Sequence, residues 1–554
     1  MSYILGIAVG HNASTTLMKD GEIVFHIEEE RLSRTKRDGN PFSILLQIPN
    51  FTTEIDTLVL TSTTSFDQVS WNGGDYYSEL LKKIGVNVKE IIDGSGDHHN
   101  AHAFNTFYNS GFEDSIVVVI DGAGSVKQEQ TETDTNTYFE AETIFRANYG
   151  ELITQYQNFI TNQELNNIQN GYSLLQNPTI VKIYEGVTQF LGWHPIEAGK
   201  TMGLAAYGKW DDRIPDLFDG NNRGKGNIFQ PNYPATSIIK EDTGWYQFQE
   251  DEQFKANLAR KVQFNSEYLS EQLIRKAIAL NPDCKNICIG GGYVLNVINN
   301  GKLLKKFPDY NFWFEPTGND AGNSIGVAKH IHLQTGGKKE DIQGIKDYFL
   351  GFEYNYDNLK VEDDNWNISK ENNIDKVAEL INNGEIVAIH QGRSEAGPRA
   401  LGNRSFMMHP GRENGKDFMN KIKKREYFRP FAASVLEECA HEWFDIPIGG
   451  ISPYMMVAFD TKEDKKDKIQ AVVHEDGTTR IQTVSNFDDN PYRDIIEKFY
   501  EKSGIPLILN TSYNLSGEPL CETIQDSINT FNESDFDHIY LGDLDILISK
   551  KGKN

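Results

Sequence analysis

The chain opens with short apolar runs separated by turn residues, a pattern typical of β-strands. Residues 3–10 (YILGIAVG) form the first run, and residues 15–29 contain two more, which Asp20 and Gly21 divide. An Asp-Gly pair favours the positive φ angles of a tight hairpin turn. Residues 55–62 (IDTLVLTS) form another apolar run. The pattern therefore predicts a β-rich start that contains a hairpin.

Beyond residue 100, apolar strands and helical periodicities alternate. Residues 115–125 (SIVVVIDGAGS) are continuously apolar up to Asp121, as expected of a strand buried on both faces. Residues 265–280 show the apolar spacing of a helix, and residues 286–296 (NICIGGGYVLN) run from a strand into a glycine turn. The chain is therefore predicted to be an α/β protein whose functional loops lie at strand ends.

Three glycine-bearing turns follow predicted strands, at residues 10–14, 121–125 and 290–296. Backbone amides in such turns approach phosphate groups closely. The order of the turns resembles that in the nucleotide-binding lobes of the actin-like ATPase and sugar-kinase superfamily. No internal repeat stands out in the sequence itself.

The chain is 554 residues long, which exceeds what a single core usually organises. Residues 335–347 (TGGKKEDIQGIKD) are polar and glycine-bearing, as is typical of a linker. A helical pattern, a strand at 385–390 and a basic segment follow. We therefore expect two domains, at residues 1–345 and 346–554.

The overall charge limits the classes of partner. The chain carries 54 Lys and Arg residues against 80 Asp and Glu residues, a formal charge of −26. That charge argues against a protein that coats nucleic acid or an anionic membrane. The pattern of a secretory leader is not seen, no apolar run is long enough to cross a bilayer, and the four cysteines are scattered. These features favour a cytoplasmic enzyme.

One segment departs from the acidic background. Residues 391–430 contain ten Lys and Arg residues against four Asp and Glu residues, with Gly392, Gly397 and Gly402 at five-residue spacing. A run of charge is usually a solvated surface. Here, however, planar guanidinium groups alternate with glycines whose amides are open to a ligand, which is what a phosphate site requires. The segment is therefore predicted to bind an anion.

A second set of residues has the chemistry of a metal site. The stretch DHHNAHAFN places His98 and His102 four residues apart, so on a helix both lie on one face. Asp121 ends the buried strand among small residues, and Asp320 lies in a glycine-flanked turn before an apolar helix. Two imidazoles and two carboxylates form a mixed nitrogen and oxygen donor set that suits Fe(II), Mn(II) or Zn(II).

Several long stretches carry a resemblance to a known family over nearly the whole chain. In the first part they are HNAST (11–15), EEERLSRTKRDG (28–39), DHHNAHAFN (97–105), IDGAGS (120–125), GKTMGLAAYG (199–208), GGYVLNVINNGKL (291–303) and GNDAGNSIGVA (318–328). In the second part they are GRSEAGPRALGNRS (392–405), IKKREYFRPFA (422–432), SPYMM (452–456), HEDGTTRIQTV (474–484) and LILNTSYNLSGEPL (507–520). On these stretches the chain resembles the O-carbamoyltransferases of the nodulation-protein and antibiotic-tailoring type.

The resemblance implies two domains with separate activities. The first is implied to be a Kae1-like domain of actin-like fold, similar to the tRNA threonylcarbamoyl transferase, and the second an α+β adenylate-forming domain of the YrdC/Sua5 type. The second domain would form carbamoyl-adenylate from Mg-ATP and carbamoyl phosphate. The first would pass the carbamoyl group to an acceptor hydroxyl. Fe(II) is the metal that we expect, with Mn(II) or Zn(II) as alternatives.

The resemblance also implies roles for individual residues. The metal ligands are His98, His102, Asp121 and Asp320. His11, a general base or acceptor-orienting group, and Lys200 are the implied catalytic residues, and the implied adenylate contacts of the first domain are Gly122, Gly291, Gly292 and Asn296. The implied nucleotide and carbamoyl phosphate contacts of the second domain are Arg393, Glu395, Arg399, Arg404, Lys423, Arg425, Arg429, Asn510 and Ser512. Fixed guanidinium groups neutralise phosphates without losing their protons.

Some of these residues also have structural interpretations. Glu395 and Lys423 are alternatively partners in surface ion pairs. Lys200 alternatively caps a turn. His474, in the stretch HEDGTTR, alternatively anchors a hairpin.

The expected acceptor is a hydroxyl of a sugar, an antibiotic or another small molecule. The acidic segment 126–180 is expected to select it and to favour a cationic acceptor. One alternative is threonylcarbamoyl transfer to tRNA, which the net charge disfavours. Another is carbamoylation of a hydroxymethylated base in DNA, which the acidity of segment 126–180 disfavours unless a basic patch lies alongside. A nucleotide-gated switch without chemistry is a further alternative, but it leaves the paired histidines and aspartates unexplained.

Overall fold

The computed structural model describes residues 2–63, 74–130, 135–161, 179–217, 229–232, 236–239, 241–356, 361–447, 450–486 and 490–551. The chain divides into two compact units. The first comprises Met1–Val24 and Gly39–Lys346, and the second comprises Phe25–Asp38 and Asp347–Asn554. The sequence predicts a domain boundary after residue 345, and the structure divides the chain after Lys346. The segment Phe25–Asp38 was expected in the first domain, but it belongs to the second unit. The activities assigned to the two domains stay predictions.

The elements up to Lys346 alternate between strands and helices, as the sequence pattern predicts. The strands are β1 (Tyr3–Ala8), β2 (Ser14–Lys19), β3 (Glu22–Glu28), β4 (Glu54–Thr61), β5 (Asn87–Asp93), β6 (Asp114–Ile120), β7 (Val126–Gln130), β8 (Thr135–Asn148), β9 (Leu152–Thr161), β10 (Phe229–Asn232), β11 (Thr236–Ile239), β12 (Asn286–Gly290) and β13 (Asn311–Phe314). The helices are α1 (Glu29–Ser33), α2 (Phe42–Leu45), α3 (Gly74–Lys83), α4 (His98–Ser110), α5 (Ile180–Phe190), α6 (Ala198–Ala205), α7 (Glu252–Leu280), α8 (Val297–Lys306), α9 (Asn323–Gln334) and α10 (Lys339–Ile342).

Local sequence explains where several of these elements begin and end. Asp20 and Gly21 both adopt positive φ angles between β2 and β3, which confirms the predicted hairpin turn. Helix α4 ends at Gly111, which adopts a left-handed conformation. At the start of α7, the Asp251 carboxylate accepts hydrogen bonds from the amides of Gln253 and Phe254.

The two main sheets that β1 to β13 form share one strand order apart from β7, an additional partner of β8, so this part of the chain contains a topological repeat. The first sheet has the order β3-β2-β1-β4-β5, with β1 antiparallel to β2 and parallel to β4. In the second sheet, β6 is antiparallel to β8 and parallel to β12. Strand β9 pairs with β8, and β13 pairs with β12. No internal repeat stands out in the sequence, so the duplication is visible only in the tertiary structure.

Helices α4 and α9 pack together and contribute, with both sheets, to one apolar core. The core includes Ile4 of β1, Ala101 of α4, Val117 of β6 and Ala328 of α9. The two helices approach so closely that a Cβ atom on Gly326 would lie 2.6 Å from the carbonyl oxygen of Ala101. The packing fixes the N-terminal ends of both helices, and His98, His102 and Asp320 lie in or next to these ends.

The second unit is built on one nine-stranded mixed sheet with the order β14-β22-β21-β15-β16-β20-β17-β19-β18. Its strands are β14 (Trp366–Ser369), β15 (Val387–His390), β16 (Arg404–Met408), β17 (Ala432–Leu436), β18 (Ala458–Asp460), β19 (Thr478–Val484), β20 (Leu507–Ser512), β21 (His538–Leu541) and β22 (Ile546–Lys550). Its further helices are α11 (Ile374–Asn382), α12 (Gly415–Ile422), α13 (Ala440–Trp443), α14 (Pro491–Ser503) and α15 (Ile524–Asn532). The α/β class predicted from the sequence is confirmed. Among the described helices, none has the length and apolar character needed to span a bilayer.

Candidate functional site

Three separate segments of the first unit bring four metal-ligating side chains together. His98 and His102 lie one turn apart in the first part of α4. Asp121 directly follows β6, and Asp320 begins a short 3-10 turn before α9. One donor atom from each residue lies within 4.8 Å of the others. We refer to these four residues as the His–Asp quartet.

The donor atoms of the quartet face one another at close range. The Nε2 atoms of His98 and His102 are 3.1 Å apart. Each of these nitrogens lies 3.4 Å from Oδ1 of Asp320, and Nε2 of His98 also lies 3.4 Å from Oδ2 of Asp121. Both imidazoles are buried. The quartet is therefore a compact, desolvated group of two nitrogens and two carboxylates.

The carboxylates dominate the electrostatics of the quartet. Burial works to lower the pKa of His98, but the charges and hydrogen bonds of Asp320 and Asp121 outweigh it and raise that pKa to about 10. Burial works to raise the pKa of both carboxyl groups. The histidines outweigh this effect, so the pKa values of Asp121 and Asp320 lie well below their usual range. Both carboxylates are ionised at neutral pH.

The quartet has the properties of a divalent metal site. Besides the convergent Nε2 atoms, the Nδ1 atoms of His98 and His102 are buried and have no hydrogen-bond partner among the described residues. Two imidazoles and two ionised carboxylates suit Fe(II), Mn(II) or Zn(II). A cation would also interact favourably with the two ionised carboxylates in this buried position. The residues present therefore fit the metal that the resemblance implies.

The remaining histidines near the quartet have different surroundings. His11 is about half exposed, and its Nδ1 atom lies 3.5 Å from Oδ2 of Asp320. His99, the residue after His98, instead places Nδ1 2.7 Å from Oγ1 of Thr143. His11 therefore borders the quartet on its open side, whereas His99 lies outside it, as the helical spacing predicts.

The glycine turn after β12 is joined to the quartet. The amide of Gly292 donates to Oδ1 of Asp121 over 3.2 Å. Gly291 has a φ of 81°, and a Cβ atom there would lie 2.3 Å from the carbonyl oxygen of Ile120. A side chain is therefore not tolerated at Gly291. At Gly122, after β6, an added Cβ would lie 2.8 Å from Oε1 of Glu185.

Two residues predicted to act on the adenylate have structural partners. Asn296 caps α8 by accepting from the amide of Asn299, and it exchanges two hydrogen bonds with Gln263. Lys200 places its Nζ atom 2.9 Å from Oε1 of Glu197. These contacts favour supporting roles, and direct ligand contacts for Asn296 and Lys200 stay predictions.

The segment expected to select a cationic acceptor is only partly described. Residues 131–134 and 162–178 lie outside the described residues. Glu140 and Glu142 are buried. The carboxylate of Glu140 accepts hydrogen bonds from Ser125 and Gln157. The carboxylate of Glu142 accepts hydrogen bonds from Ile180 and Asn158. These contacts favour structural roles for Glu140 and Glu142, and the selection of a cationic acceptor by the segment stays a prediction.

The second unit contains four arginines whose charges act on one another. Burial, and then the charge of Arg429, lowers the pKa of Arg399 to about 10. The pKa of Arg480 lies well below its usual range. The largest cause is burial, and the positive charges of Arg399, Arg425 and Arg429 lower it further. Burial and Arg429 also lower the pKa of Arg425. We refer to Arg399, Arg425, Arg429 and Arg480 as the arginine cluster.

Concentrated positive charge of this kind is unfavourable unless an anion compensates it. Within the cluster, Arg429 places Nη1 3.5 Å from Oε2 of Glu426, and the guanidinium of Arg425 lies 4.3 Å from the ring centre of Phe431. The Nε atom of Arg480 is buried and has no hydrogen-bond partner among the described residues. The cluster therefore has the electrostatics of a binding site for a polyanion.

Arg480 was not among the residues predicted from the sequence. It lies on β19, outside the basic segment 391–430, and enters the cluster because β19 pairs with β17 so that Arg480 opposes Ala432. The stretch HEDGTTRIQTV, which carries the resemblance, was the available signal. His474 of that stretch places Nε2 3.2 Å from the carbonyl oxygen of Phe431, which favours its structural interpretation.

Lys423 organises the loop after β20. Its Nζ atom donates to the carbonyl oxygens of Ser512 and Asn514 and lies 3.1 Å from Oδ1 of Asn514. Burial, and then Arg425 and Arg429, lowers the pKa of Lys423 well below its usual range. The interpretation of Lys423 as a surface ion-pair partner is therefore wrong.

Glu395 and Arg404 are parts of the framework around the basic segment. Oε1 of Glu395 accepts from the amides of Leu401, Asn403 and Arg404, so this buried residue is not a surface ion-pair partner. The guanidinium of Arg404 is completely buried and donates to the main-chain carbonyls of Gln391, Gly392, Asn403 and Glu522. These bonds favour a structural role over the anion contact expected of Arg404.

Two further predicted contacts are also held by the main chain. Arg393 donates from Nε to the carbonyl of Gly351 and from Nη2 to that of Leu350. Asn510 donates from Nδ2 to the carbonyl of Ala400, whereas its Oδ1 atom is buried without a hydrogen-bond partner among the described residues. Asn510 therefore retains an acceptor for a ligand or a water molecule.

Two family models match the chain. The model for the carbamoyltransferase N-terminus matches residues 68–329, and the model for the carbamoyltransferase C-terminus matches residues 378–550. The first match includes the His–Asp quartet, and the second includes the arginine cluster.

Curated proteins are similar to the chain over most of its length. Nodulation protein NolO of Bradyrhizobium diazoefficiens is 30% identical, over 80% of this chain and 78% of that protein. Nodulation protein NolNO of Sinorhizobium fredii is 28% identical, over 96% of this chain and 78% of that protein. An uncharacterised protein of Methanocaldococcus jannaschii is 30% identical over 99% of each chain.

Similarity to solved structures is weaker. HypF of T. kodakarensis is 13% identical, and the match covers 62% of this chain and 49% of that chain with a TM-score of 0.33. A Sua5 variant of P. abyssi is 16% identical, over 29% and 43% of the two chains, with a TM-score of 0.21. Similarity at this level carries no argument about function.

Proposed function

Because the chain belongs to the carbamoyltransferase family, and is thus a transferase of carbamoyl groups, we propose that it carbamoylates a hydroxyl group through a carbamoyl-adenylate. The second unit activates the carbamoyl group with ATP. The first unit transfers it to the acceptor. The single observation that carries this proposal is the arginine cluster, because transfer of a carbamoyl group from a ready-made donor would not require so large a concentration of partly buried positive charge.

The proposed activation balances as two steps. Carbamoyl phosphate and water give carbamate and phosphate, and a carbamate oxygen then attacks the α-phosphorus of ATP. A new phosphorus–oxygen bond forms, and pyrophosphate leaves. In this proposal Arg399, Arg425, Arg429 and Arg480 neutralise the phosphate charges of both substrates, as guanidinium groups do without losing their protons. Mg-ATP is the expected nucleotide substrate.

The proposed transfer takes place beside the His–Asp quartet. The acceptor oxygen attacks the carbonyl carbon of carbamoyl-adenylate, its proton leaves, and AMP departs with the electron pair of the broken bond. His11 borders the quartet and is half exposed, so it is placed to take the acceptor proton or to orient the hydroxyl. A divalent metal held by His98, His102, Asp121 and Asp320 would supply Lewis-acid polarisation of an adenylate oxygen.

The acceptor that we propose is a small molecule with a free hydroxyl, such as a sugar or an antibiotic. The names of two relatives state that they are nodulation proteins, which supports a biosynthetic role but defines no acceptor. The formal charge of −26 disfavours DNA or tRNA as the acceptor. Incubation with ATP, carbamoyl phosphate and a panel of alcohols, followed by mass spectrometry for the added carbamoyl group, identifies the acceptor class.

Pyrophosphate release tests the activation step directly. Purified protein with Mg-ATP should release pyrophosphate when carbamoyl phosphate is added, and not when threonine and bicarbonate are added. The opposite dependence would favour threonylcarbamoyl transfer to tRNA. Release under neither condition would favour a nucleotide-gated switch, and the proposal would be wrong.

A further inference from the structure

The segment Phe25–Asp38 belongs to the second unit although the chain on both sides of it belongs to the first. It contains the short helix α1, and the buried residues Glu29, Glu30 and Arg31 lie in that helix. Arg34 follows α1 in a left-handed conformation. Two arginines from the start of the sequence are thus built into the unit that contains the arginine cluster.

Arg31 contacts the loop that carries Arg399. Its Nη2 atom donates to the carbonyl oxygen of Gly397 over 2.9 Å. Gly397 has a φ of 83° and precedes Arg399 by two residues. The bond therefore supports the main chain at a point where it turns sharply, immediately before a member of the cluster.

Arg34 contacts a second loop, the one that follows β20. Its Nη1 atom donates to the carbonyl of Leu520 over 2.6 Å, and its Nη2 atom donates to the carbonyl of Pro519 over 3.1 Å. Two bonds from one planar guanidinium fix the direction of this stretch more firmly than a single ammonium could. The same guanidinium lies 3.6 Å from Oδ1 of Asp526.

The stretch that Arg34 holds is connected to Lys423. Nδ2 of Asn514 donates to the carbonyl of Glu518, next to Pro519, and the amide of Ser516 donates to the carbonyl of Lys423. Asn514 in turn accepts from Nζ of Lys423. Hydrogen bonds and the peptide bond between Glu518 and Pro519 therefore connect Arg34 to Lys423. The pKa of Lys423 responds to the charges of Arg425 and Arg429.

Arg31 has several carboxylate neighbours in addition to the carbonyl of Gly397. Burial works to lower its pKa, but the charges of Glu28 and Glu30, with those of Glu522 and Glu395, raise it above its usual value. Its charge is thus balanced by protein groups before any ligand binds. A compensated arginine that donates to a carbonyl acts as a structural support.

We propose that Arg31 and Arg34 are positioning residues for the anion site of the second unit. Each holds one of two loops, the first leading to Arg399 and the second leading to Lys423. The proposal rests on the proposed function, in which this site receives ATP and carbamoyl phosphate. Misplacing phosphate-binding groups by about 1 Å costs up to about 100-fold in rate, so the effect of losing a support is measurable.

The test uses full-length variants and pyrophosphate release. Arg34→Met, which removes both bonds, should raise the KM for carbamoyl phosphate or ATP about 10-fold or more. Arg34→Lys, which keeps the charge and one bond, should recover part of that loss. Arg31→Lys should behave similarly, whereas Arg31→Met leaves buried carboxylates without their partner and is expected to fold poorly.

Arg493→Met is the matched control. Arg493 is a buried arginine of the same unit that donates to the carbonyl of Val484 and pairs with Glu438 and Glu497. The Arg493→Met variant should lose about as much thermal stability as Arg34→Met, but its KM values should equal those of the wild-type protein. If Arg34→Met and Arg493→Met have the same KM values at the same temperature below their transitions, the positioning role is wrong.

The proposed function and the positioning role fail in different ways. If the wild-type protein releases no pyrophosphate with carbamoyl phosphate, the proposed function is wrong. Calorimetric binding of inorganic pyrophosphate then tests the positioning role by itself. A Kd raised about 10-fold in Arg34→Met but not in Arg493→Met supports it, and equal Kd values in both variants overturn it.

Discussion

The Nε2 atoms of His98 and His102 lie 3.1 Å apart, one helical turn from each other, and both face the same oxygen of Asp320. Side chains four residues apart on a helix are neighbours, so this arrangement follows from the start of α4. The carboxylates of Asp121 and Asp320 belong to segments that are distant from α4 in the sequence. The relationship makes metal content the most direct property to measure.

His102→Ala should lower metal affinity by more than about 100-fold, because loss of even a group that only supports a metal ligand costs about 10- to 100-fold. Metal analysis of protein purified under anaerobic conditions measures this. His99→Gln is the matched control, since His99 is on the same helix but contacts Thr143. Equal metal content in both variants would show that the quartet does not hold the metal.

Arg480→Met should slow pyrophosphate release by about 100- to 1000-fold, as expected for loss of one preorganised group that stabilises developing charge. The rate with saturating ATP and carbamoyl phosphate is the measurement. Arg412→Lys serves as the control, because Arg412 lies in the basic segment but donates to the carbonyl of Gly384. A normal rate in Arg480→Met would remove this residue from the anion site.

His11→Gln should slow carbamoyl transfer by about 100- to 10,000-fold, the range typical of a general base. Pyrophosphate release should be reduced far less, because His11 borders the quartet in the first unit and the arginine cluster belongs to the second. Single-turnover measurements of product and pyrophosphate separate the two steps. Equal reductions of both would contradict a role that is specific to transfer.

Arg404→Met should destabilise the protein rather than weaken substrate binding. The substitution leaves several buried main-chain carbonyls without a donor, at a cost of about 3 kcal/mol or more in the free energy of unfolding. Urea denaturation measures that change. A variant of normal stability with a raised KM for ATP would instead restore the anion contact expected from the sequence.

His330 gives a prediction about pH. Burial lowers its pKa from 6.5 to about 4, and its Nδ1 atom lies 3.1 Å from the hydroxyl of Tyr108. The folded state favours the neutral form of His330. Between about pH 4 and pH 6.5 the unfolded chain therefore binds more protons than the folded protein does. Stability from this group is therefore complete above pH 6.5 and is lost as the pH falls towards 4.

His330→Gln should accordingly be less stable than the wild-type protein at neutral pH, and the difference should narrow on acidification through that window. Urea midpoints at several pH values measure it. His194→Gln, at an exposed position, should show no such narrowing. A constant difference between wild type and His330→Gln would mean that His330 does not titrate in this range.

The sequence by itself determined the features that depend on local geometry. The Asp20–Gly21 turn, the alternation of strands and helices, and the shared face of His98 and His102 all follow from backbone preferences and periodicity over a few residues. Long matching stretches also led to the carbamoyltransferase family, which both family models support.

The tertiary structure alone decided which charged residues are free to meet a ligand. Arg480 joins the arginine cluster because β19 pairs with β17, whereas Arg404 is occupied by main-chain carbonyls from several loops. The topological repeat and the placement of Phe25–Asp38 likewise depend on contacts between residues that are distant in sequence. The sequence does not show whether the partner of an arginine is a main-chain carbonyl or a phosphate, because long-range packing determines which groups surround the guanidinium.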